Sequence, residues 1–141
     1  MRRSAVKRSV VFLLCAVFLL TLCACGQQNP TATEAAQPAY RQVSSEEGAA
    51  LMKSESNYII LDVRRQDEFA SGHIPGAICV PNETIGTADI PELPDKAQLI
   101  LVYCRSGRRS KEASQKLADL GYTNIVEFGG IIDWTGEVVT D

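Results

Sequence analysis

Leu99 Ile100 Leu101 Val102 Tyr103 Cys104 Arg105 Ser106 Gly107 Arg108 Arg109 Ser110 is the stretch whose reading decides the fold. Residues 99–103 form an uninterrupted apolar run of strand length, as buried parallel strands do, and residues 108–120 carry helical periodicity. Cys104 is therefore expected at the end of a buried parallel strand, on the edge where open α/β sheets bind ligands. The short loop after it can turn several backbone N–H groups toward one point above the sulfur, and the positive end of the following helix adds to their pull on an anion. The same field favours thiolate over thiol. A free cysteine ionises near pH ~8.5, and helix N-termini and neighbouring cations lower that by one to several units. A lone cysteine closing a strand is more often a small buried hydrophobe. Here Arg105, Arg108 and Arg109, with Ser106, Gly107 and Ser110 between them, crowd within one turn of it, which a purely structural cysteine does not need. Cys104 is the candidate nucleophile.

Outward from this stretch the same alternation repeats. Residues 41–43 read as a short strand. Ser44 with Glu47 is a capping-box pattern opening a helix through Ala49, Ala50, Leu51 and Met52. Residues 58–63 form a second apolar strand that ends on the charges of Asp62 and Arg64, and residues 65–70 a short helix. A turn at residues 72–76 leads to a third strand at 77–80 and a long connection broken by Pro91 and Pro94. The helix at 108–120 puts Ala113, Leu117, Ala118 and Leu120 toward the sheet and closes at Gly121. A fifth strand at 124–128 precedes Gly129 and Gly130, which lead into a last short helix containing Trp134. Strands alternating with helices imply a mainly parallel sheet covered on both faces, an α/β fold of three α/β/α layers. Residues 40–141 suffice for one modest core.

The N-terminal segment stands apart from that domain. Arg2, Arg3, Lys7 and Arg8 precede an apolar stretch at 10–20 and a small-residue finish, the layout of an export signal over residues 1–24. The stretch is shorter than the roughly 20 residues a membrane span needs, so a spanning anchor is the lesser alternative. Leu22 Cys23 Ala24 Cys25 resembles the lipobox of bacterial lipoproteins, with Cys25 as the acylated residue. The expected location is extracytoplasmic, with the protein tethered to a bacterial membrane by lipid. The competing reading is a soluble secreted protein. Residues 25–39, rich in Gln, Pro, Thr and Ala, read as a flexible tether. The whole chain has 14 basic and 17 acidic residues, a net charge of −3. Loss of the four basic residues of the signal leaves 10 against 17, near −7, so nucleic acid is not an expected partner.

Of five cysteines, only Cys79 and Cys104 remain in the domain once the signal and a lipidated Cys25 are set aside. The two could form a disulfide in an exported protein, or Cys79 could resolve an oxidised Cys104; burial of Cys79 on its strand is the preferred reading. These cysteines and the single histidine, His73, offer no metal-binding cluster, and no cofactor is expected.

Several segments together resemble the rhodanese (sulfurtransferase) family: Leu61 Asp62 Val63 Arg64, then Glu68 Phe69 with Gly72 His73 Ile74 Pro75 Gly76 Ala77, then the loop from Cys104 to Ser110, and finally Gly129 Gly130 with Trp134. Each piece alone is weak, and the ordered set is specific. The resemblance implies a single-domain rhodanese-like fold with a five-stranded parallel sheet, and a cysteine that carries sulfane sulfur as a persulfide. Carried onto these residues, Cys104 accepts sulfur from an anionic donor such as thiosulfate and passes it to cyanide or a thiol. Loop amides and Arg105, Ser106, Gly107, Arg108, Arg109 and Ser110 would hold the substrate, although at most two of the arginines can face it at once. Another of them would be a solvated helix-end charge or a partner of Asp62. Asp62 and Arg64 are expected to support the loop, and His73 to serve its turn structurally. A monomer is the expected state.

Two rival functions use the same residues. A rhodanese-like phosphatase or arsenate reductase places five residues between cysteine and arginine. Here that position is Ser110, with Arg109 one step too near, so loop length argues against oxyanions of phosphate size. A rhodanese-homology module that binds a partner without turnover is the other rival. Such modules often lack the cysteine that is present here.

Overall fold

The computed structural model describes residues 39–86 and 90–140. The expected export signal, Cys25 and almost all of the expected tether lie outside the described residues. Five strands form one sheet in the order β1-β5-β4-β2-β3: β1 (Arg41–Gln42), β2 (Tyr58–Asp62), β3 (Ile78–Cys79), β4 (Leu99–Cys104) and β5 (Ile125–Gly130). All four strand pairings are parallel. An isolated antiparallel bridge joins His73 to Val139, whose backbones exchange hydrogen bonds of 2.8 and 2.9 Å.

Helices α1 (Ser45–Ser54), α2 (Gln66–Ala70) and α3 (Arg108–Asp119) connect the strands. Each boundary has a local cause. Ser44 Oγ accepts the Glu47 N–H (3.2 Å) while Glu47 Oε2 accepts the Ser44 N–H (3.0 Å), so the expected capping box opens α1. Past the end of α3, Gly121 donates to the Ala118 carbonyl and Tyr122 to that of Leu117, the paired bonds of a Schellman close.

The layers follow from side-chain alternation along the strands. Leu61, Val63, Ile100, Val102 and Cys104 point to one face, where Ala113 and Leu117 of α3 and Ile85, Ile90 and Leu93 of the long connection cover them. Ile60, Leu101, Tyr103, Val126 and Phe128 point to the other, beneath Leu51 and Met52 of α1 and beneath Ile131 and Trp134. Truncating a wholly buried side chain such as Leu117 to alanine costs about 2–5 kcal/mol.

Three expectations need correction. Gly129 and Gly130 belong to β5 rather than to a linker. The last helix is a single 3-10 turn, Ile131–Asp133, with Trp134 capping it from outside. The third strand is only two residues long, Ile78–Cys79, although the Val80 and Asn82 N–H groups beyond it still donate to the Asp62 and Val63 carbonyls of β2 and its extension.

Candidate active site

β4 carries Cys104 to the carboxyl edge of the sheet, and the loop Arg105–Ser106–Gly107 folds back over it. Gly107 adopts φ +92°, a conformation open to glycine at little cost, and its N–H donates to Cys104 Sγ at 3.1 Å. The loop rests directly on β5. A Cβ at Gly130 would lie 2.6 Å from both the Arg105 carbonyl carbon and Ser106 Cα, so only glycine fits. The Ile132 N–H holds the Arg105 carbonyl from the far side (3.3 Å). The sulfur is roofed by this loop: Cys104 is only 1% exposed. Its thiol donates to Ser110 Oγ at 3.5 Å.

Ser110, in the first turn of α3, is fully buried. Its Oγ lies 2.6 Å from Glu127 Oε1, 3.0 Å from the Gly107 carbonyl and 3.3 Å from the Gly129 carbonyl. Glu127, 2% exposed, also accepts the Gly129 N–H at 2.9 Å. That second bond sits in a β-bulge. Between Val102↔Glu127 and Cys104↔Gly130, β4 advances two residues while β5 advances three.

The loop arginines divide among three environments. Arg109 is half-buried and makes a two-pronged ion pair with Glu68 of α2, Nη1 to Oε2 at 2.7 Å and Nη2 to Oε1 at 2.9 Å. Chiefly through that Arg109 hydrogen bond, the Glu68 carboxyl is lowered from its ordinary 4.5 to about 2. Arg109 is raised in turn, by Glu68 first and by the charge of Cys104 among the lesser causes. Arg108 lies in solvent, 3.7 Å from Glu112 one turn along the helix. Arg105 and Ser106 are exposed on the rim, and Arg105 has no ion-pair partner among the described residues.

Asp62 and Arg64 form a closed unit on the opposite face. Arg64 Nη2 reaches Asp62 Oδ2 at 2.6 Å and the Gly72 carbonyl at 2.7 Å, while its guanidinium carbon lies 5.8 Å from the centre of the Tyr103 ring. Burial first, then Asp62, push the Tyr103 phenol far above its usual range, and its oxygen accepts the Ile74 N–H. The unit meets β4 at Tyr103, and Asp62 pairs with Arg64 rather than with a loop arginine. His73 stacks on Phe69 with ring centres 3.8 Å apart, its Nδ1 3.0 Å from the Phe69 carbonyl, as part of the turn.

Cys79 is placed against the disulfide and the resolving roles. It stands in register with Asp62 and, across β2, with Tyr103, on the face of the sheet opposite Cys104. Both cysteines are free, and burial followed by the Asp62 charge raises the Cys79 thiol to about 11.

Glu127 is the residue the sequence reading passes over. Its signal was present: a single carboxylate inside an otherwise apolar strand is a buried charge that needs partners.

A parallel α/β sheet with a cysteine at its carboxyl edge, under a short loop whose amide points at the sulfur, defines an α/β protein with a candidate thiol site. The chain belongs to the rhodanese-like domain family, whose signature matches residues 44–137. It is 34% identical over 73 residues to thiosulfate sulfurtransferase PspE of Escherichia coli, covering 52% of this chain and 70% of that one. It is 33% identical over 94 residues to a sulfurtransferase of Allochromatium vinosum, covering 66% and 86%. Among solved structures, a rhodanese with anions from E. coli superposes with a TM-score of 0.55 at 31% identity, covering 60% of this chain and 99% of that one. Some relatives are longer: the chain spans 21% and 24% of two yeast adenylyltransferase and sulfurtransferase proteins, from Meyerozyma guilliermondii and Candida albicans. These matches place the chain in a sulfurtransferase family.

Proposed function

We propose that the protein moves sulfane sulfur from an anionic donor such as thiosulfate to a thiol or cyanide, through a persulfide on Cys104. The observation that carries this reading is the Gly107 N–H aimed at Sγ from 3.1 Å, in a loop that Gly130 lets lie flat on β5. An amide fixed in that direction stabilises an electron-rich sulfur without a metal.

In the first half-reaction the Cys104 thiolate attacks the outer sulfur of thiosulfate. A bond forms between the two sulfurs, the S–S bond of the donor breaks, and sulfite leaves with its electron pair. In the second, the acceptor attacks the terminal sulfur and Cys104 departs as thiolate. Arg105, exposed on the rim and without an ion-pair partner among the described residues, meets the donor's charge on approach. Arg109, tied to Glu68, contributes a fixed positive field from the side.

The test is intact-mass spectrometry of the full chain after incubation with thiosulfate. A gain of one sulfur, about 32 Da, that is absent in Cys104→Ser is expected for a persulfide intermediate. No mass gain in the wild type overturns the reading.

We further propose, from residues 1–25, that the protein is exported and lipid-anchored through Cys25 to a bacterial membrane. Incorporation of labelled fatty acid that disappears in Cys25→Ser supports this, and incorporation that persists overturns it.

A further inference from the structure

We propose that Glu127, acting through Ser110, takes the proton that Cys104 must release. The proposal rests on the sulfurtransferase reading only for the reaction it serves. A thiol that is 1% exposed has little water beside it to accept a proton, so deprotonation needs an internal acceptor. A continuous hydrogen-bonded path supplies one: the Cys104 thiol donates to Ser110 Oγ (3.5 Å), and Ser110 Oγ lies 2.6 Å from Glu127 Oε1. Of the acceptors around the Ser110 hydroxyl, the carboxylate is nearest, in the range of a charge-assisted O–H···O⁻ bond. With its one proton committed there, Ser110 turns a lone pair to the sulfur. The Gly129 N–H pins the same Oε1 from the bulge, so the carboxylate is held in place.

The step balances without any outside reagent. The S–H bond breaks and its proton goes to Ser110 Oγ, while the Ser110 proton goes to Glu127 Oε1. A thiol and a carboxylate become a thiolate and a carboxylic acid. The pocket thus never holds two buried negative charges together, a state that like-charge repulsion disfavours. When the acceptor has taken the sulfur, the departing thiolate recovers its proton along the same path. Glu127 does not touch the sulfur and is a positioning and proton-holding residue. The titratable groups around this path are the hydroxyl of Tyr40, raised first by burial and then by Glu127, and Arg109, which senses the charge of Cys104.

The experiment measures two rates in the full chain: iodoacetamide alkylation of Cys104 across pH, followed on the Cys104 peptide, and turnover with thiosulfate. Glu127→Gln keeps the shape and an acceptor for Ser110 but cannot hold the proton. It is expected to slow alkylation at pH 7 on the order of 10-fold and to lower kcat about 100-fold, with KM for thiosulfate within about twofold. Ser110→Ala is expected to match it, Ser110→Thr to restore much of the loss, and the double variant to be no worse than either single one. Wild-type rates in Glu127→Gln, or losses that add in the double variant, overturn the relay. If Glu127→Gln does not fold, Ser110→Ala against Ser110→Thr decides the matter. If the wild type gains no sulfur from thiosulfate while the alkylation rates behave as expected, the relay stands and the sulfurtransferase reading falls.

Discussion

β2 and β4 are neighbours that reach the same edge of the sheet, with Asp62 beside Tyr103, yet their ends do different work. At the end of β2 the charges close on each other: Arg64 satisfies Asp62, caps the Gly72 carbonyl and lies against Tyr103. At the end of β4 the polar groups converge instead on a sulfur, with the Gly107 amide above it, Ser110 beside it and Glu127 behind. A self-satisfied ion pair makes a strut. Chemistry needs the arrangement whose last partner is a reactive atom.

The comparison is broken most forcefully at the strut. Asp62→Ala leaves Arg64 buried without its carboxylate and is expected to cost about 3–5 kcal/mol, read as a large drop in Tm. In the surviving folded protein the alkylation rate of Cys104 should stay within about twofold. A parallel collapse of that rate would mean the two strand ends are not separable. Next in size is Gly130→Ala, which drives a methyl group into the Arg105–Ser106 backbone. A loss of about 1–3 kcal/mol is expected from overpacking, together with a disproportionate fall in kcat because the loop lifts off the sulfur. Unchanged turnover in a destabilised Gly130→Ala would show that loop seating is irrelevant.

Smaller again is the Glu68–Arg109 pair. Because the Glu68 carboxyl is lowered to about 2, its contribution is complete above the ordinary 4.5 and is lost as pH falls from there toward 2. Glu68→Gln should flatten the fall in Tm over that window and cost no more than about 2 kcal/mol at pH 7, since the pair is partly open to solvent. Superimposable Tm profiles would show that the pair contributes nothing to stability. The smallest effect belongs to Arg105→Ala on the exposed rim: a rise in KM for thiosulfate of about two- to fivefold that shrinks in high salt, with stability within about 0.5 kcal/mol of the wild type. A KM indifferent to salt in the wild type would remove Arg105 from donor capture.

How far the chain could be read depended on whether a feature is local. The apolar runs at 58–63 and 99–103, the Ser44–Glu47 box and the Gly121 close are sequence-local signals, and the sheet, its flanking helices and the place of Cys104 follow from them. The Glu68–Arg109 pair joins residues 41 apart, and no spacing rule reaches that far. Gly130 announces a turn by its type, whereas its actual use, as the one residue thin enough to sit under Arg105, depends on two strands meeting. The side of the sheet on which Cys79 lies depends on register across β2, which fixes it opposite Cys104.

The extra residue in β5 has a consequence beyond the site it shapes. A strand alternates its side chains with period two, so one inserted residue puts everything downstream half a period out of step with the ladder upstream. Shortening β5 by one residue between Glu127 and Gly130 would leave Val102↔Glu127 and Cys104↔Gly130 paired in a continuous ladder, yet it would iron out the bulge whose Gly129 N–H fixes the Glu127 carboxylate. Length at this point governs chemistry as firmly as residue identity does.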